Sequence, residues 1–191
     1  KQQTSLKTFA NTVAEELGYG LLPNFAQENM RVFRSLTNTL NEELFETSGE
    51  ERSMVGYDYL YQERETKGTL TGYENHSNTM YFMYDRELDS LFRSGFGMSI
   101  TQFSSDYEDD SSRDELMVQG IIPISYIQEK GINYASTIRV GYGDGEYERR
   151  LSDDKYESDL TSWLYGISNA VRYKLDLGFV ELEPTVELNV M

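Results

Sequence analysis

The sequence predicts an all-β fold: an antiparallel up-and-down transmembrane β-barrel, partial here at about seven strands, behind an N-terminal helix. Three observations carry this. From about Ser53 to Met191, apolar and polar residues alternate. In the run Phe92 to Thr101, for example, Phe92, Phe96, Met98 and Ile100 fall on one face and Arg93, Gly95, Gly97, Ser99 and Thr101 on the other, because strand side chains alternate with period two. The runs are longer than the five or six residues usual in soluble sheets. Their apolar faces are also aromatic: Tyr126, Tyr134, Tyr142, Trp163, Tyr165 and Tyr173 lie near strand ends or on those faces, and rings with a polar tip favour the membrane–water boundary.

Residues 1–23 are polar, then mixed. Within them Ser5–Leu17 is expected to form a short helix, with Phe9, Val13 and Leu17 spaced by four and Gly18-Tyr19-Gly20 ending it. The main helix is expected over 24–48. Asn24 is read as its N-cap after Pro23. Met30, Phe33, Leu36 or Thr37, Leu40 and Leu44 step by threes and fours. Arg31, Arg34, Asn38, Asn41 and Glu42 cover much of the rest, and Thr47-Ser48-Gly49 stops the helix. Such a helix suits a surface position on a soluble sheet, or a plug inside a wet barrel.

Residues 51–191 then read as strands: about Ser53–Glu63, Asn78–Leu88, Leu91–Tyr107, Asp114–Gln128, Gly131–Arg149, Leu160–Asp176 and Phe179–Met191. Lys67–Asn78, which holds the only histidine, His76, reads as a long loop or a hairpin extension. Arg86–Ser90, Glu129–Gly131 and Asp176–Gly178 read as tight turns, whereas Ser105–Arg113 and Arg150–Asp159 read as long acidic links. Short turns on one rim and long loops on the other are the asymmetry of outer-membrane barrels.

The bulk composition agrees. With 191 residues and 38% hydrophobic content, the chain suffices for one domain or part of a larger barrel. Mean hydropathy is −0.59, and no apolar run reaches the ~18 residues of a transmembrane helix; no leader peptide is read either. A barrel gives only every second residue to lipid, so low hydropathy does not argue against it. There is no cysteine, which excludes disulfides and thiol or Cys-metal chemistry. A net charge of −16 argues against nucleic-acid partners. The acidic runs Glu108-Asp109-Asp110 and Asp153-Asp154 read as solvated loops.

The polar faces carry both signs. Val180, Leu182, Pro184, Val186, Leu188 and Val190 share one face of the last strand, and Glu181, Glu183 and Glu187 lie on the other. Carboxylates there must meet water or a partner. Arg172 and Lys174 lie opposite the face of Trp163, Tyr165 and Ile167, and Arg139 and Arg93 point inward on their strands. A soluble β-sandwich binding module explains the alternation equally well, but explains the loop asymmetry, strand length and aromatic density less well. Pro184 marks an edge or a bulge.

No enzyme is read from the sequence. His76 has no G-x-S-x-G nucleophile motif near it. Gly141-Tyr142-Gly143-Asp144-Gly145 opens no helix, so it is a strand end or bulge rather than a phosphate loop. Asp106 to Asp110 lacks calcium-loop spacing. Glu181 and Glu183 sit on one strand and not across a cleft. No catalytic, cofactor or metal residue is assigned.

The segments Leu21-Leu22-Pro23-Asn24 before the helix, Met83-Tyr84-Asp85-Arg86-Glu87-Leu88 and Phe179-Val180-Glu181-Leu182-Glu183-Pro184 are similar, in order and spacing, to the translocator (β) domain of bacterial autotransporters, the type V secretion family. The resemblance covers about residues 23–191. It implies a Gram-negative outer-membrane pore that carries an N-terminal passenger to the surface and keeps a helix in its lumen. Residues 1–23 would be passenger tail or linker. Arg93, Arg139, Arg172, Lys174, Glu181, Glu183 and Glu187 would line the lumen against Arg31, Arg34, Asn38, Asn41 and Glu42 of the helix. Partners would be the passenger, outer-membrane lipid, the barrel assembly machinery and periplasmic chaperones. Family barrels have twelve strands, so the resemblance implies a shortened chain or an assembly intermediate, whose open edges need further strands, a second copy or an assembly machine. The self-cleavage of some members at an Asn-Asn pair does not carry over, because Asn38 and Asn41 are not adjacent. Another outer-membrane barrel, a pore or an adhesin-like one, is the nearest alternative, and would leave the helix outside.

Overall fold

The computed structural model describes residues 22–46, 49–67, 71–128, 131–151, 154–176 and 181–190; the helix expected at Ser5–Leu17 lies outside them. Helix α1 spans Leu22–Phe45. Asn24 is therefore in its first turn and not its N-cap. Pro23 is also in that turn, where a missing N–H costs nothing. Val32, Phe33, Leu36, Leu40, Leu44 and Phe45 are buried. Met30, expected on this stripe, is 47% exposed, because the buried face centres on Phe33, Leu36, Leu40 and Leu44 and leaves it at the margin.

The strands are β1 (Glu51–Arg64), β2 (Tyr73–Glu87), β3 (Phe92–Tyr107), β4 (Ser111–Tyr126), β5 (Gly131–Leu151), β6 (Asp154–Asp176), β7 (Glu181–Leu182) and β8 (Thr185–Val190). Sheet order follows chain order and every pairing is antiparallel, an up-and-down meander. β7 and β8 share one strand position beside β6. Leu175 pairs with Leu182 and Arg172 with Thr185 in one unbroken register. Pro184 thus interrupts the strand without a slip, and its carbonyl still accepts from Tyr173 N at 3.1 Å. This is one sheet curved around α1, a half-barrel, and it excludes the sandwich.

Several sequence expectations are corrected. Of the two readings of Lys67–Asn78, the hairpin extension is what forms from Tyr73 onward: His76 lies in β2, paired with Tyr61, and not in a long loop. The acidic stretch Ser105–Arg113 is no long link: β3 and β4 run up to a turn at Glu108–Asp110, where Asp110 adopts φ 59° and its N–H bonds Tyr107 O at 3.1 Å. Arg150–Asp159 likewise belongs mostly to β5 and β6. The Gly141–Gly145 run is regular mid-strand, with Gly143 opposite both Met117 and Ser162. The physical reason is shared. Toward this rim the outward positions change from apolar to acidic, at Asp106, Asp114, Asp144, Glu146 and Asp159, while the backbone ladder continues. Hydrophobic alternation fades there and mimics a loop.

Inward positions are buried beneath α1. Leu36, Leu40, Leu44 and Phe45 pack on Tyr81, Met83, Ile121, Ala135 and Ala170. Val32 and Phe33 pack on Phe103, Met117 and Leu164. Outward positions are apolar yet exposed, including Val55 at 75%, Met80 at 64% and Trp163 at 62%. The register lines up Tyr57, Met80, Ile100, Val118, Tyr142 and Trp163 as one outward row across six strands. On β4 the band runs from Leu116 to Tyr126, about the 9–11 residues a tilted strand needs to cross a bilayer. A contiguous apolar surface of this extent marks an interaction with another apolar phase.

Candidate functional site: the helix held by the concave face

Polar anchors hold α1 at both ends and one grips its middle. Near its N-terminal end, β4 turns Arg113 inward. Its Nη1 donates to Glu28 Oε2 at 3.0 Å, Nη2 to Asn29 Oδ1 at 2.9 Å and Nε to Glu115 Oε2 at 2.9 Å. Glu28 also accepts from Ser105 Oγ and Tyr107 OH, each at 3.0 Å, and Glu115 accepts from Ser162. The side chains of Arg113, Glu28 and Glu115 are 1%, 0% and 0% exposed. The charges are therefore fully desolvated, and only their mutual pairing makes that tolerable. Arg64 of β1 adds bonds to Gln27, at 2.7 Å, and to Asn24. Asn24 Nδ2 itself reaches Thr71 O at 3.0 Å.

In the middle, Arg139 of β5 donates from Nη2 to Phe33 O at 2.5 Å and to Thr37 Oγ1. It thereby tethers a main-chain carbonyl halfway along the helix.

At the C-terminal end, Arg52 of β1 donates to the carbonyls of Glu43, at 2.9 Å, and Glu46. Terminal helix carbonyls have no intrahelical partner and carry partial negative charge, so a cation is favoured there. Asp85 bridges Arg52 and Arg93. Arg93 also reaches Glu87 and Gly49 O, both at 2.9 Å. On the far side Arg172 of β6 meets Glu42 at 2.6 Å and Glu183 at 3.3 Å, and Lys174 meets Glu183 at 3.6 Å. Glu187 accepts from Asn41 Nδ2 at 3.2 Å and, with the Asn38 amide oriented to suit its neighbours, from Asn38 at 2.9 Å.

Among the residues singled out from sequence, Arg139, Arg172 and Glu187 touch Phe33, Thr37, Asn38, Asn41, Glu42 or Phe45 of α1. Arg93 instead ties the segment after the helix to β2, and Lys174 and Glu183 stand behind Arg172. Arg31 and Arg34 are exposed. The Glu181 side chain lies outside the description. Sequence reasoning missed Glu28, Arg113, Glu115, Arg52, Asp85 and Arg64. A signal existed for three of them. Glu28 stands four residues before Val32 on the apolar stripe, an odd place for an unpaired acid. Extending the β4 alternation back from Met117 places Glu115 and Arg113 inward.

Among the described residues no helix is long and apolar enough to cross a membrane, which says nothing of crossing by strands. None of the described residues form a metal-holding cluster of His, Cys, Asp and Glu.

Residues 55–191 match a family model described as the autotransporter β-domain. The structure is similar to the β domain of the Bordetella autotransporter BrkA, with a TM-score of 0.53 and 16% identity over 74% of this chain. At that identity the likeness is one of fold, and the chain spans 58% of the length of that domain. Curated protein sequences give no match.

Proposed function

The chain belongs to the autotransporter β-domain family, and on that footing we propose that it serves as an outer-membrane translocator, anchoring an N-terminal passenger and exporting it, with α1 as the lumen helix. The observation that carries this is the opposition of the two sheet faces. The inward face grips α1 through buried ions and hydrogen bonds, while the outward face offers an apolar band with Tyr and Trp to lipid. An adhesin-like or simple pore barrel would have no use for a helix tied at both ends inside its wall. The residues at the helix–wall contacts, Arg52, Arg113, Arg139, Arg172 and Glu187 among them, act by holding and not by catalysis.

In this reading the rim at Glu108–Asp110 faces outside, because the N-terminus of α1, where a passenger would join, points to it. The turn at 88–91 faces the periplasm. Passenger, outer-membrane lipid, assembly machinery and periplasmic chaperones are the partners. The residues ahead of Leu22 are passenger tail or linker, Leu22–Phe45 the lumen helix and 51–191 barrel wall.

The test is an epitope placed ahead of Lys1 in the full-length protein. Protease removal of the epitope from intact cells, together with heat-modifiable gel mobility of the barrel, is expected. An epitope protected inside the cell despite a heat-shifted barrel would end the export reading. A species monodisperse in plain buffer would end the membrane reading.

A further inference from the structure

All three aromatic residues of α1 are phenylalanines, and each meets an arginine of the wall. The guanidinium carbon of Arg113 lies 4.9 Å from the ring centre of Phe25, that of Arg139 3.5 Å from Phe33, and that of Arg172 4.3 Å from Phe45. The arginines come from three successive strands, β4, β5 and β6, in the order in which α1 presents its rings. Arg113 is also stacked on its other neighbour, Phe103, at 4.9 Å.

The middle pair is the most telling. Arg139 is 0% exposed, and no acid pairs with it among the described residues. Its Nε and Nη1 have no hydrogen-bond partner. A buried guanidinium without a carboxylate is costly, and here its compensation comes from the helix: the Phe33 ring, the Phe33 carbonyl and Thr37. Gly166, directly opposite Arg139 in the register, leaves room for that ring. A Cβ there would stand 2.1 Å from Phe33 Cε2. Arg139 and Gly166 therefore form one slot that fits a flat ring. Sliding α1 by one turn, about 5.4 Å, would bring Asn29 or Thr37 to the slot and part all three pairs together.

We infer that the Phe25–Arg113, Phe33–Arg139 and Phe45–Arg172 ladder is the recognition site by which the wall accepts one amphipathic helix in one axial and rotational setting. The inference rests on the reading of α1 as the lumen helix. The ligand class is a helix with phenylalanine at these three places. Arg139 and Gly166 are positioning residues.

The chain has no cysteine, so introduced pairs report cleanly in the full-length protein. N41C with E187C, whose side chains now meet at 3.2 Å, reports docking by disulfide formation. Nitroxides on M30C and L88C, both exposed, report the axial setting as a distance. In F25L/F33L/F45L the apolar volume stays and the rings go. Expected is a roughly tenfold or greater fall in disulfide rate, as three desolvated cation–π contacts are lost, with a broadened distance distribution. Heat-modifiable mobility should be retained. Parent-like disulfide rate and distance in the leucine variant would overturn the ladder. Should that variant fail to assemble, F33L is judged by the same two readouts, and a parent-like result overturns the ladder equally. Loss of heat-modifiable mobility or of surface epitope in the parent protein would instead sink the translocator reading.

Discussion

Replacing Arg113 with methionine should free the N-terminal half of α1 from the wall while leaving the sheet folded. Removing one partner of a buried ion pair costs about 3–5 kcal/mol, because the remaining charge stays buried and uncompensated. Here the arginine serves two carboxylates, Glu28 and Glu115, each 0% exposed, so the upper end applies, about 5 kcal/mol. At roughly 1.4 kcal/mol per tenfold, the undocked population of the helix rises by roughly three to four orders of magnitude. Amide hydrogen exchange in lipid reads this directly. Amides over Asn24–Leu36 should lose protection by about that factor, while those of β2 to β5 keep theirs. The triple variant R113M/E28Q/E115Q should recover most of the loss, since an uncharged replacement of a buried ion cluster is often close to neutral. A change under about tenfold in R113M, near 1.4 kcal/mol, would refute the reasoning. So would a triple variant no better than the single one, because the cost would then lie in lost packing on Phe25 and Phe103 and not in stranded charge.

Three further outcomes follow from other parts of the sheet. Asp89 in the turn at 88–91 accepts from the Leu91 and Phe92 N–H groups, both at 2.9 Å, and these bonds hold its carboxyl below the usual range. A depressed folded value means its stabilisation is present above the unfolded value and is lost as pH falls through the folded one. The stability gap between parent and D89N, read by urea titration across acid pH, should close in that window. G95A should weaken the β2–β3 pairing by about 1–3 kcal/mol, because its Cβ would sit 1.8 Å from the Tyr84 carbonyl oxygen; an unchanged urea midpoint would show that the backbone yields freely. I122R on the outward face of β4 should cost about 2–4 kcal/mol in lipid vesicles and D114R about 0–1; equal costs would argue that the band does not face hydrocarbon.

The strand series, its order and the inward sense of Arg93, Arg139 and Arg172 were legible because period-two alternation survives in a half-buried sheet. The rim was not. Where Asp114, Glu146 and Asp159 stand as direct neighbours across β4, β5 and β6, the outward face is charged and the inward face, at Arg113 and Glu115, is charged too. With both faces polar, alternation carries no contrast, and a strand resembles a loop. The stretch around His76 left loop and hairpin extension both open for the same reason, since its outward neighbours Asn78 and Glu74 are polar. The helix was legible as an amphipathic segment. Its anchors Glu28 and Arg113 stand at inward positions of their own elements, but nothing in the sequence pairs one with the other until the fold brings them to 3.0 Å.

The distribution of polarity along the helix explains how one wall can be both wet and selective. Beneath Leu36, Leu40 and Leu44 the wall is apolar, with Met83, Ile121, Ala135 and Ala170, and such contact tolerates sliding because one methyl group packs much like the next. Charge does not tolerate it. Glu28 has its matched cation only at Arg113, and the last carbonyls of α1 have theirs only at Arg52. Any axial move breaks the two ends at once and strands at least one buried ion. Buried ion pairs add little net stability against an apolar replacement, but they penalise mispairing heavily. Their value in this wall is therefore register. The apolar contacts supply adhesion, and the charged ends, with the Arg139 slot between them, decide where along the axis adhesion is allowed.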